Sequence, residues 1–111
     1  MTSLQQSELF QTGYLADGQW HPAASTFDVT NPATGEVIAQ VAKAGKAETE
    51  QAIAAAERAF PAWRAQTAKA RAEILTRWYQ LIIENKRWLA ELMTTEQGKP
   101  LKEAEGEVEY A

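Results

Sequence analysis

Residues 68–97 carry an apolar stripe too broad for a helix covered on one side only, and this limits what the chain can fold into. At about 100° per residue, Ile74, Leu75, Trp78, Leu81, Ile82, Leu89, Leu92 and Met93 fall on one face. Tyr79 and Ile83 widen that face well beyond the roughly 100° arc that a surface helix needs. Such a helix requires neighbours on more than one side. Thr67 is its expected N-cap, and Gly98-Lys99-Pro100 closes it with a glycine at the first non-helical position and a proline just after.

The rest of the 111 residues offers thin cover. Residues 1–12 read as a polar N-terminal extension, with Leu4, Leu9 and Phe10 as docking points. Residues 13–42 read as short antiparallel strands. Asp17-Gly18 is a hairpin turn signal, and Asn31-Pro32-Ala33-Thr34-Gly35 supplies a second reversal between Phe27–Thr30 and Val37–Val41. After Gly45 the apolar period changes from 2 to 3.6. Ala52, Ile53, Ala56, Ala59, Phe60 and Trp63 share one side of a helix expected over about 47–60, with Glu48 and Glu50 near its positive end. Pro61 is expected to end it, because a residue before proline avoids helical dihedrals. A third helix is expected over 101–111, with Leu101, Ala104, Val108 and Ala111 on one face. The sequence stops inside that pattern, which reads as a cut within a longer chain.

Composition narrows the chemistry. Hydrophobic residues make up 45% and charged residues 23%, an ordinary globular balance. Cysteine is absent and His21 is the single histidine, which removes thiol nucleophiles and multi-histidine metal sites from these residues. The net charge is −4, and from Lys43 onward eleven basic and eleven acidic side chains are interleaved. That pattern gives no one-sign footprint for nucleic acid. The apolar runs fall far short of a bilayer span, and the N-terminus lacks a signal-peptide pattern, so no membrane partner and a cytoplasmic setting are expected.

No glycine-rich phosphate loop is present. Glu103, Glu105, Glu107 and Glu109 alternate, but alternate residues on a helix diverge by about 200°, so a solvated face is expected and not a cation site. Trp63, Trp78 and Trp88 lie on or beside apolar stripes and read as packing residues, while Trp20 beside His21 has no convergent partner. Glu96 is the carboxylate to watch: it sits at the negative end of a helix, where an unusual partner would help explain it. From the residues alone the chain is a helix-rich piece with a β start.

The order of segments carries more. Gly18-Gln19-Trp20, FDVTNPATGEVIAQV (27–41), AIAAAERAFPAW (52–63) and RAEILTRWYQLIIENKRWLAELMTTEQGKPLKEAEGEVEYA (71–111) together resemble the N-terminal part of an NAD(P)-dependent aldehyde dehydrogenase. The resemblance runs from about Tyr14 to the last residue. Within the family, residues 67–79 and 92–111 look most like the succinate-semialdehyde dehydrogenase branch. The implied fold class is α/β with a Rossmann-type cofactor domain. Residues 13–111 would be the incomplete N-terminal part of that domain: short antiparallel strands, then three helices.

The resemblance implies oxidation of an aldehyde to a carboxylate with NAD or NADP. In that family a cysteine thiolate attacks the aldehyde, hydride passes to the nicotinamide, and a glutamate-activated water releases the acid. The family's cysteine, its base and its main dinucleotide contacts lie later in the chain, so no catalytic or cofactor-binding residue is assigned here, and the segment alone is expected to be inactive. Some members bind a monovalent cation through backbone carbonyls before the Asn-Pro turn and an acidic side chain before the Gly-Lys. The matching positions are Val29, Thr30 and Glu96, with Glu96 where those members often have Asp. The resemblance also implies a small aldehyde substrate and a homo-oligomer at full length. A competing reading is a standalone interaction module docking through the apolar face of helix 68–97.

Overall fold

The computed structural model describes residues 3–111. The first two residues of the expected N-terminal extension therefore lie outside the described residues. Two antiparallel hairpins lead into four helices, in the order β1 (Tyr14–Ala16), β2 (Gln19–His21), β3 (Thr26–Thr30), β4 (Val37–Ala42), α1 (Lys46–Ala65), α2 (Ala68–Glu84), α3 (Lys86–Gln97) and α4 (Leu101–Tyr110).

The first hairpin turns on Asp17 (φ 54°) and Gly18 (φ 71°), two consecutive positive dihedrals of the kind an Asp-Gly pair accepts in a two-residue turn. Tyr14 pairs with His21, Leu15 with Trp20 and Ala16 with Gln19. Gly13 has to be glycine, because a β-carbon there would lie 2.5 Å from the His21 carbonyl oxygen. In the second hairpin Phe27 pairs with Val41 and Val29 with Ala39, and the register shifts between Val29 and Thr30. Ala42 N–H donates to the Thr12 carbonyl (2.8 Å) and Gln5 Nε2 donates to the Ile38 carbonyl (2.6 Å), which fastens the N-terminal segment to β4. Leu4 and Phe10 are half-buried, whereas Leu9 stays exposed.

Helix α1 runs past Pro61, contrary to the expectation that proline would end it. Ala62-Trp63-Arg64-Ala65 favours continuation, and Pro61 deletes only one ladder hydrogen bond on an exposed stretch. The Arg64 guanidinium, 5.8 Å from the Phe60 ring centre, adds support one turn apart. The helix packs its alanines on the first hairpin. Ala55 and Ala16 are buried, Tyr14 Oη donates to Gln51 Oε1 (3.0 Å), and Arg58 lies 3.8 Å from Asp17. Ile53 and Phe60, expected on the covered side, point outward instead.

The single helix expected over 68–97 is two. Thr67 caps the first as expected, its hydroxyl accepting Ala70 N–H at 3.1 Å. The interruption is Asn85, whose side-chain amide donates to the Leu81 carbonyl at 2.8 Å. Its backbone N–H also donates to that carbonyl, at 3.1 Å, and its dihedrals (φ −104°, ψ 12°) leave the helical range. Among the described residues there are thus four helices, not three.

The core lies between α3 and α4. Ala90 and Ala104 are both 0% exposed and Val108 5%, with Ile82, Leu89, Met93 and Leu101 packed around them. Small residues on both helices allow the close approach. Helix α2 has no buried residue and touches α3 and α4 sparingly. The radius of gyration is 16.6 Å, against about 13 Å for a compact domain of this length. The chain does not close around a centre of its own.

Candidate functional site

The segment between β3 and β4 is built by its own side chains. Asn31 Oδ1 accepts Ala33 N–H (2.9 Å), the Asn31 carbonyl accepts Gly35 N–H (2.7 Å), and Thr34 Oγ1 accepts Glu36 N–H (3.2 Å). These bonds hold Pro32 at the tip, against the end of α3. That helix stops at Gly98, which has φ 79° and whose backbone N–H donates to the Thr94 carbonyl at 2.8 Å. A β-carbon on Gly98 would lie 3.0 Å from Pro32 Cγ. The Asn-Pro turn and the Gly-Lys break, far apart in sequence, therefore meet.

Val29 and Thr30 end β3 just before this turn; Val29 pairs with Ala39 and Thr30 with Val37, so the register shift skips Ile38 on β4. Val29 is half-buried; Thr30 is exposed, and so is Glu96 on the last turn of α3. Next to the turn is a cleft of about 380 Å³, lined by Leu4, Gln5, Asn31, Val37, Ile38 and Thr95 among others. Among the described residues, no group of three or more His, Cys, Asp or Glu is placed to hold a metal ion. A site here would rest on carbonyl oxygens and one carboxylate, the donor set of a hard cation.

His21 belongs to the fold. Its Nε2 lies 3.0 Å from the Ala16 carbonyl, and its ring stacks on Tyr14 at 5.3 Å between centres. The alternating glutamates, expected to form a solvated face, are largely paired. Lys86 Nζ donates to Glu109 (2.6 Å), Arg87 to Glu91 (2.6 Å) and Glu105 (3.2 Å), and Lys99 pairs with Glu107. The hydrogen bond to Glu109 holds the Lys86 ammonium above the ordinary lysine pKa, and Glu91, then Glu105, do the same for Arg87. Nothing in the spacing of the glutamates alone showed this, because the partners lie on α3 or in the connection that follows it.

The start of helix α1 is already occupied by a side chain of its own first turn. Helix α1 is the one that follows a strand through a glycine, but Gly45 N–H already donates to Glu48 Oε2 at 2.9 Å. A carboxylate in that position repels a pyrophosphate where a helix start would otherwise attract it.

Residues 20–111 match the model of the aldehyde dehydrogenase family, and the chain belongs to that family. It is 56% identical over 110 residues to the glutarate-semialdehyde dehydrogenase of Pseudomonas putida. It is 53% identical over the same length to the NADP(+) succinate-semialdehyde dehydrogenase of Escherichia coli. In both cases the match takes in 97% of this chain and 23% of the relative. A crystal structure of an aldehyde dehydrogenase from Brucella melitensis biovar abortus superposes with a TM-score of 0.93 at 46% identity, over 99% of this chain and 23% of that one. The chain thus spans about a quarter of the length of the curated relatives it matches.

Proposed function

We propose that residues 13–111 are the N-terminal part of the cofactor-binding domain of an NAD(P)-dependent dehydrogenase that oxidises succinate semialdehyde or a related aldehyde to its acid. Residues 1–12 form an extension ahead of it. The observation that carries this reading is the identity of 53–56% to two semialdehyde dehydrogenases across almost the whole chain. Succinate and glutarate semialdehyde both carry a carboxylate at the end remote from the aldehyde and differ by one methylene. A pocket separates such a pair by only about 1–3 kcal/mol, so a few residues elsewhere decide between them. The reading brings with it NAD or NADP as oxidant, self-association of the complete enzyme and a cytoplasmic setting.

The 111 residues on their own hold no thiol to form an acyl-enzyme. Two assays test the reading. The isolated chain, given NAD or NADP and succinate semialdehyde, is expected to form reduced cofactor at the rate of the blank. The protein encoded by the whole reading frame containing these residues is expected to reduce the cofactor with succinate or glutarate semialdehyde in preference to an uncharged aldehyde. Turnover by the isolated chain, or preference for the uncharged aldehyde, overturns it.

A monovalent cation between the Val29 and Thr30 carbonyls and Glu96 belongs to the same proposal. The closeness of Pro32 to Gly98, which brings the Asn-Pro turn to the end of α3, supports it. Crystals soaked in Rb⁺ are expected to give an anomalous peak between Val29 and Glu96; an empty map there removes the site.

A further inference from the structure

We draw no further inference here: the strongest candidate, the exposed apolar face of α2 around Leu75, Trp78 and Tyr79, carries nothing because nothing in the structure shows what covers it.

Discussion

Gly98 stands against Pro32 so closely that an added β-carbon would meet Pro32 Cγ at 3.0 Å, and its φ of 79° is one that a side chain resists. Both demands fall on one residue. The contact ties the tip of the second hairpin to the end of α3. Gly98→Ala is expected to cost about 1–2 kcal/mol for the left-handed dihedral, plus the shift Pro32 has to make. Gly35→Ala isolates the first part, since Gly35 has φ 76° and open space around it. Urea melts of both variants check this; equal losses would mean that Pro32 gives way freely.

Val108 is 5% exposed between Ala90 and Ala104, each at 0%. Val108→Ala removes two methyl groups and leaves a void, at a cost of about 2 kcal/mol. Ala104→Leu overfills the same seat and costs about 1–3 kcal/mol. Thermal melts followed by circular dichroism report both, and unchanged midpoints would show that α4 is not seated on α3.

Pro61→Ala is expected to stabilise the chain. Proline inside α1 leaves one carbonyl without its ladder partner, and interior proline costs a helix up to about 3 kcal/mol relative to alanine. A gain of about 1–3 kcal/mol in urea unfolding is the expected outcome. A loss would show that the proline serves by restricting the unfolded chain more than it harms the helix.

The bridge from Lys86 to Glu109 sets a pH dependence. Glu109 raises the folded-state pKa of Lys86 above its ordinary value of 10.5, so the folded chain holds that proton more tightly. Its contribution to stability is complete below the ordinary value and fades as pH climbs through the raised one. Lys86→Gln is therefore expected to melt slightly lower than the parent chain at neutral pH and to match it at strongly alkaline pH. The effect is small because the pair is open to water. A difference that persists unchanged at alkaline pH would assign it to packing of the lysine stem.

The outer face of α2 is expected to bind anilinonaphthalene sulfonate in the folded chain, since Leu75 is 53% exposed, Trp78 63% and Tyr79 60%. Leu75→Gln with Trp78→Gln should lower dye binding and change stability by no more than about 0.5 kcal/mol per site, as for other exposed positions. Full helicity without dye binding would contradict the exposed face.

Local chemistry was legible where neighbours in sequence decide the outcome. Asp17-Gly18 formed its turn, Thr67 capped α2, Gly98 ended α3, and Leu101, Ala104 and Val108 faced the core. Pro61 was misjudged because the rule against helix before proline is a preference of modest size, outweighed here by the residues that follow. Asn85 gave no warning, since asparagine in a helix is only mildly unfavourable until its amide finds the Leu81 carbonyl. At the candidate site, family likeness pointed to Val29, Thr30 and Glu96, but the meeting of Pro32 and Gly98 joins distant segments and leaves no periodic trace. The pairing of Glu105 and Glu109 with Arg87 and Lys86 was hidden for the same reason.

Asn85 separates two jobs that one uninterrupted helix would have to share. On its C-terminal side the apolar residues turn toward α4 and complete a small interior. On its N-terminal side they remain presented outward, apart from Ile82, which reaches that interior. One residue with non-helical dihedrals thus lets neighbouring turns answer to different surroundings, so changes to the outward stripe around Leu75 and Trp78 can be made with little disturbance of the α3–α4 seat.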